Sequence, residues 1–136
     1  MADNVGTVAR IYEAFGRGDV PSIIDELDDD VAWEDGIRET GLPYLLPGRG
    51  KQHVVSFFQR LAESLELTQF DVGPFCDGGE IVVVPVLQAG RIIGGGVIAP
   101  NLEAHVWRFG AHGKVTSFQH IGDWALHERA AAQVSA

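Results

Sequence analysis

Residues 103–109 read EAHVWRF, and residues 115–122 read VTSFQHIG. Side chains of different character alternate in both stretches, which is typical of β-strands with one covered face. Alternation places His105 in the first stretch and His120 in the second among aromatic residues. A buried imidazole left without a hydrogen-bond partner costs about 1–3 kcal/mol, so each histidine needs a partner or opens onto a cavity. The two strands therefore predict either a pair of satisfied core histidines or a pocket.

Three helices are predicted ahead of these strands. Apolar side chains recur at helical spacing over residues 3–16, Asp19 begins a short second helix, and a third helix runs from about 51 to 64. A short strand is expected at 31–35. The four glycines and two prolines of residues 36–50 predict a loop.

The sequence period changes from helical to strand-like after residue 65. Runs of β-branched and aromatic residues, separated by turn residues, predict strands at 66–75, 80–90, 91–99, 102–110 and 114–122. The glycines at 94–96 predict a hairpin or bulge, and residues 125–136 predict a terminal helix or a frayed end. Helices first and strands afterwards predict an α+β fold, with three N-terminal helices packed on a curved antiparallel sheet.

The bulk composition excludes several classes of protein. The chain of 136 residues fits one domain, residues 1–136, and its formal net charge of −9 argues against nucleic acid or an anionic membrane as partner. A single cysteine, Cys76, excludes a disulfide framework. The sequence shows neither a signal peptide nor an apolar run of about 20 residues, so a cytoplasmic location is expected.

Residues 28–36, DDDVAWEDG, place several carboxylates around a tryptophan. Strand alternation puts Asp35 on the face of Trp33 and sends Glu34 to solvent or to the far side of the sheet. Asp35 is therefore predicted to enter the pocket, although it could instead start a turn before Gly36. The aspartates at 28–30 are expected to be a solvated helix end.

Three longer segments resemble one known superfamily. Residues 8–36, VARIYEAFGRGDVPSIIDELDDDVAWEDG, resemble the opening of nuclear transport factor 2-like (NTF2-like) proteins. Residues 41–61, GLPYLLPGRGKQHVVSFFQRL, and residues 103–126, EAHVWRFGAHGKVTSFQHIGDWAL, are similar to the SnoaL-like polyketide cyclase branch. The resemblance implies a cone-shaped α+β barrel that encloses a blind apolar pocket, and a homodimer formed through the outer sheet face.

Ketosteroid isomerase, another member of the superfamily, suggests roles for individual residues. Its general-base aspartate ends the first strand, where Asp35 stands, and its protonated oxyanion-hole aspartate corresponds to His105. Its tyrosine donor corresponds to Ile11, so that donor is missing. Tyr12 follows one residue later, and Tyr44 in the loop is a candidate replacement.

The resulting hypothesis is a cofactor-independent acid–base enzyme that removes a proton alpha to the carbonyl of a small apolar molecule. Asp35 would be the base, His105 would polarise the carbonyl, and His120 would be a second donor or an acid. The residues expected to bind substrate are Tyr12, Trp33, Tyr44, Phe58, Trp107 and Phe118. The alternatives are a dehydratase that uses an Asp/His pair in the same pocket and a binding module without catalysis.

No cofactor and no metal are expected. Glu103, His105 and His120 nevertheless fit the pattern of a two-histidine-one-carboxylate metal site, which stays open as a minor alternative. The other histidines are expected on the surface: His53, His112 and His127.

Overall fold

The computed structural model describes residues 3–133. The elements follow the order α1 (Asn4–Gly16), α2 (Val20–Ile24), β1 (Leu27–Trp33), a 3-10 turn (Pro43–Leu45), β2 (Gly48–Arg49), α3 (Lys51–Ser64), β3 (Leu65–Val72), β4 (Cys76–Asp77), β5 (Ile81–Ile92), β6 (Val97–Phe109), β7 (Val115–Ile121) and α4 (Trp124–Ala132). No helix within residues 3–133 is long and apolar enough to cross a membrane. The last three residues of the predicted terminal helix lie outside the described residues.

The helices begin at residues that the sequence marks as caps. The Asp3 carboxylate accepts a hydrogen bond from the Gly6 backbone N–H at 2.8 Å, and α1 follows at once. The Asp19 carboxylate accepts a hydrogen bond from the Ser22 backbone N–H at 3.2 Å. Helix α2 follows, with Pro21 in its first turn. The predicted bounds of α3 agree with the structure.

The sheet is open, curved and mostly antiparallel. Its strand order is β2-β1-β7-β6-β5-β3, with β4 added to β5, and only the β1–β7 pair is parallel among the described strands. Register shifts interrupt the β3–β5, β5–β6 and β6–β7 pairs. Such bulges bend strands, and they account for the curvature of the sheet around its inner face. The α+β prediction is confirmed.

Some predicted element bounds are wrong. Residues 91–99 do not form a separate strand, because β5 runs on to Ile92 and β6 starts at Val97, with the turn at the predicted glycines. Gly94 in that turn has a positive φ of 78°, which glycine adopts without steric cost. The first strand begins at Leu27, so Asp28 to Asp30 belong to β1 rather than to a helix end.

The core lies between the inner face of the sheet and the helices. Trp33 on β1 stacks on Phe118 of β7, with ring centroids 4.4 Å apart, and packs against Phe57 of α3 at 5.3 Å. Trp33 and Phe118 are paired residues of the parallel β1–β7 ladder, so the strand register itself brings the rings together. These contacts fix the end of β1 against β7, where the polar residues described below lie.

The outer face of the sheet exposes large apolar side chains. Val97 is 72% exposed, Leu102 64% and Ile121 56% in the single chain. Such an apolar face is compatible with pairing of two chains through the sheet. The homodimer remains a prediction.

Candidate functional site

A cavity of about 70 Å³ opens between the helices and the inner face of the sheet. Most of its walls are apolar and come from α1, α3 and β3, together with the aromatic residues of the sheet. Seven polar side chains also line it and are called here the polar cluster: Tyr12, Tyr44, Gln88, Glu103, His105, His120 and His127. Six of them are joined by hydrogen bonds, and the ring of His120 lies against that of His105, with centroids 4.7 Å apart. A buried polar group this large needs a nearly complete set of hydrogen bonds, and these bonds determine which protons are available.

Glu34 and His120 form a carboxylate–imidazole pair behind the cavity wall. Oε2 of Glu34 lies 2.8 Å from Nδ1 of His120, and Oε1 accepts a hydrogen bond from the His120 backbone N–H at 2.7 Å. Glu34 is fully buried, whereas the His120 side chain is 14% exposed and lines the cavity. The carboxylate therefore binds the Nδ1 edge of the imidazole, and the Nε2 edge of the ring points away from Glu34.

The position of Glu34 follows from the backbone at the end of β1. Glu34 has a φ of +58°, the left-handed conformation, whereas β1 up to Trp33 is extended. A left-handed residue breaks the alternation of a strand, so Glu34 does not point to the opposite face as the pattern predicted. A non-glycine residue in this conformation costs about 1–3 kcal/mol and persists where surrounding contacts hold it, here the two bonds to His120.

Asp35 is not in the site. Its side chain is exposed on the turn that follows Glu34, and it does not line the cavity. The prediction that Asp35 enters the pocket is therefore wrong, and so is the prediction that Glu34 faces solvent or the far side of the sheet. The alternative interpretation of Asp35 as the start of a turn agrees with the structure.

The Glu34 contact determines which nitrogen of His120 carries the proton. A carboxylate oxygen only accepts, so Nδ1 of His120 is the N–H and Nε2 holds the lone pair when the ring is neutral. Nε2 has no hydrogen-bond partner among residues 3–133. Burial lowers the pKa of His120, but the charge of Glu34 and its hydrogen bond outweigh burial and raise the pKa above its usual value. His120 is thus a strengthened base.

A second chain of hydrogen bonds runs from Glu103 to α1. Nε2 of His105 lies 2.7 Å from Oε1 of Glu103, Nδ1 of His105 lies 2.6 Å from the Tyr12 hydroxyl, and Nε1 of Trp107 donates to that hydroxyl at 3.1 Å. Since Glu103 accepts, His105 donates from Nε2 and accepts the Tyr12 proton at Nδ1. Burial is the main reason that the pKa of His105 is lowered. The His105 ring is therefore neutral at a pH at which His120 is protonated.

The Glu103 carboxylate connects this chain to the other half of the polar cluster. Gln88 donates to Oε2 of Glu103 at 2.6 Å. Burial would raise the pKa of Glu103, but the hydrogen bond from His105 and the nearby charge of His120 hold it below its usual value. Glu103 is therefore a second buried carboxylate in the cluster.

The hydroxyl group of Tyr44 accepts a hydrogen bond but does not donate one to any described residue. The Gln88 amide nitrogen faces Nε2 of His127 at 3.2 Å, and Nδ1 of His127 lies 2.7 Å from the Tyr44 hydroxyl. Because the amide donates its second proton to Nε2, His127 carries its own proton on Nδ1 and donates it to the Tyr44 oxygen. Among the described residues the Tyr44 O–H then has no acceptor, so it can donate to a ligand in the cavity.

Burial lowers the pKa of His127 and raises that of Tyr44, and both stay neutral near pH 7. His127 is only 1% exposed, so its predicted surface position is wrong.

Trp33 offers a further unused donor. Its side chain is 1% exposed and lines the cavity, and its indole N–H finds no acceptor within residues 3–133. A buried donor without a partner is rare in folded proteins and needs an explanation, such as a water, an ion or a ligand that binds there. A ligand that carries a hydrogen-bond acceptor would accept the bond from this indole N–H.

The structure brings most of the predicted residues together. His105 and His120 line the cavity, as do all six residues expected to bind substrate, although their roles remain predictions. Glu34, Gln88 and His127 were missed. A signal for Glu34 exists in the Asp-Gly dipeptide that follows it, since Asp-Gly marks a turn that ends the alternation. The sequence carries no local signal for the Gln88–His127 contact, which joins residues 39 positions apart.

The model of the SnoaL-like domain family matches residues 8–118, most of the chain. The chain belongs to the SnoaL-like domain family. Among solved structures, this SnoaL-like chain is similar to an NTF2-like protein of unknown function from Burkholderia pseudomallei, with 29% identity over 100% of both chains and a TM-score of 0.80.

Two further structures share the fold at lower identity. TerC, co-crystallised with polyporic acid, is 22% identical over 95% of this chain and 98% of its own, with a TM-score of 0.77. A candidate polyketide cyclase from Pseudomonas putida is 17% identical over 99% of both chains, with a TM-score of 0.70. No curated protein matches the SnoaL-like chain significantly.

Proposed function

We propose that this SnoaL-like protein is an acid–base enzyme that removes a proton alpha to the carbonyl group of a small, flat, apolar molecule, with His120 as the base. One observation carries the proposal. Nδ1 of His120 is held by the buried carboxylate of Glu34 at 2.8 Å, while Nε2 is left unpaired among residues 3–133 at the wall of an apolar cavity. In its deprotonated form, an imidazole with this orientation and a raised pKa accepts a proton more strongly than an ordinary histidine does.

The proposed step uses the rest of the polar cluster to stabilise charge. As Nε2 of His120 takes the proton, the ring becomes an imidazolium that the Glu34 carboxylate stabilises. Negative charge develops on the carbonyl oxygen of the substrate, and the free O–H of Tyr44 donates to it. Return of the proton at another carbon gives isomerisation, attack of the enolate on a second carbonyl gives cyclisation, and loss of a β-hydroxyl group gives elimination. The proposal concerns the first step, which the three reactions share.

The cavity favours a neutral aromatic or polycyclic ligand. Trp33, Trp107 and Phe118 form a wall of rings with centroids 4.3 to 6.3 Å apart. The two buried carboxylates, Glu103 at the cavity and Glu34 behind its wall, are opposed by at most the one charge of His120, so an anionic substrate would be repelled. Flat rings gain the most from such walls, and a carbonyl oxygen can reach the unused donors of Tyr44 and Trp33.

The comparisons support this reaction class. The family model is named for SnoaL, and one neighbour of the same fold is a candidate polyketide cyclase. A second neighbour of the same fold, TerC, was co-crystallised with polyporic acid. These likenesses favour a cyclase or isomerase type of enzyme, and the Glu34–His120 pair adds the proposed base.

The proposal is tested without knowing the natural substrate. 2-Tetralone is a flat, apolar ketone whose α-protons exchange with D₂O when a base forms the enolate. We expect the protein to accelerate this exchange, followed by proton NMR, and His120→Gln to lower the enzymatic rate by about 10²–10⁴-fold. His112→Gln is the matched control, because His112 is exposed beside Asp28, away from the cavity. Binding of 2-tetralone with no exchange above buffer, or equal rates in the two variants, would contradict the proposal.

A further inference from the structure

Three side chains of the polar cluster have the composition and spacing of a metal site. One donor atom from each of Glu103, His105 and His120 lies within 4.8 Å of the other two. The strands arrange this, because Glu103 and His105 share one face of β6 and His105 is paired directly with His120 on β7. Two imidazoles and one carboxylate form a set that binds divalent first-row transition ions.

Each of the three side chains also has the outer contact that metal ligands usually have. His120 donates from Nδ1 to Glu34, the second oxygen of Glu103 accepts from Gln88, and Nδ1 of His105 faces the Tyr12 hydroxyl. Such contacts orient metal-binding imidazoles and carboxylates and fix the nitrogen that faces the ion.

We propose that Glu103, His105 and His120 bind one divalent transition ion, with Zn²⁺ as the ion best suited to this donor set. Metal–ligand bonds of about 2.0–2.2 Å require donor atoms about 3.4 Å apart in a tetrahedral site, so small side-chain rotations suffice. His105 moves its ring proton from Nε2 to Nδ1 and donates it to the Tyr12 oxygen, which has a second lone pair for Trp107. All three residues line the cavity, so the fourth position of the ion would be open to it.

Metal binding has a consequence for the proposed reaction. The ion would take the Nε2 lone pair of His120, which is the atom that accepts the substrate proton. Zn²⁺ would therefore inhibit the enzyme at the concentration at which it binds. This inhibition rests on the proposed function, whereas the binding itself does not.

The test uses the full chain freed of metal with EDTA and dialysed. Zn²⁺ is titrated in competition with a chromophoric chelator, and one ion per chain is expected. Glu103→Gln and His120→Gln should each weaken binding by more than roughly 100-fold, and the outer-contact variant Gln88→Ala by roughly 10–100-fold. His112→Gln is the matched control and should bind as the wild type does. Circular dichroism establishes that each variant is folded.

A measurement on the unaltered chain makes the test independent of variant folding. Zn²⁺ should shift the NMR signals of the His105 and His120 rings, with the signals of His112 and His53 unchanged. Absence of stoichiometric binding, or binding that His112→Gln abolishes and His120→Gln leaves intact, would overturn the proposal. Zn²⁺ binding without 2-tetralone exchange in EDTA would refute the proposed reaction and leave the metal site standing.

Discussion

Replacing Glu34 by glutamine should reverse the tautomer of His120 while leaving the fold in place. The amide has one acceptor where the carboxylate had two. That oxygen is needed by the His120 backbone N–H, which Oε1 of Glu34 accepts at 2.7 Å. The amide nitrogen then faces Nδ1 of His120, which must become the acceptor. The ring proton moves to Nε2, and the lone pair that faces the cavity is lost.

The cost in stability of this substitution should be small. A hydrogen bond to a charged group contributes about 1.5–3 kcal/mol and a neutral one about 0.5–1.5, so weakening the contact costs about 1 kcal/mol. Removing a buried charge offsets part of that loss. Glu34→Ala should instead lower the free energy of unfolding by about 3–5 kcal/mol, because it leaves the His120 N–H and ring without partners in the core.

Two measurements follow these variants. Nitrogen-15 NMR of the histidine rings identifies which nitrogen is protonated, and denaturant unfolding gives the free energy of unfolding. We expect protonated Nδ1 in the wild type, protonated Nε2 in Glu34→Gln, and a fall in the pKa of His120 once the carboxylate is gone. A ring that keeps its proton on Nδ1 in Glu34→Gln would refute the assignment of Glu34 as the residue that sets the tautomer.

Three further predictions concern the polar cluster and the outer face. Tyr44→Phe removes the free donor, so 2-tetralone exchange should slow by about 10²-fold, while unfolding studies show a loss of about 1 kcal/mol. In a histidine-NMR titration His120 should lose its proton above the usual histidine range, and the buried His105 should stay neutral until a lower pH; coincident titrations would contradict this. Light scattering should find the wild type dimeric and Leu102→Glu monomeric, and a monomeric wild type would contradict pairing through the sheet.

The sequence was sufficient for the type and order of the long helices and of most long strands, whereas the short strands β2 and β4 and the 3-10 turn were not predicted. The helical stripe of residues 4–16 and the alternation of residues 103–109 each bury one face, so their periods report their structure directly. The boundary between β5 and β6 was misplaced, because a hairpin of two long strands and a series of shorter strands have the same alternation. Only the pairing of the strands distinguishes these arrangements.

The site was less accessible to sequence reasoning, since it depends on one backbone angle and on distant contacts. The left-handed φ of Glu34 places this carboxylate, rather than that of Asp35, inside the protein. Sequence propensities do not predict this backbone conformation for a glutamate. His127 is buried because Tyr44 and Gln88 hold it, and these partners lie 83 and 39 residues away along the chain. His105 and His120 were found because strand alternation places them on the covered face.

The most direct measurement compares two neighbouring carboxylates. Glu34→Gln and Asp35→Asn each remove one negative charge, but Glu34 is buried against His120 and Asp35 is exposed on the turn. The rate of 2-tetralone α-proton exchange in D₂O should fall by about 10²–10⁴-fold in Glu34→Gln. It should stay at the wild-type value in Asp35→Asn. A rate that drops in Asp35→Asn and survives in Glu34→Gln would contradict the account that His120, held by Glu34, is the base of this cavity.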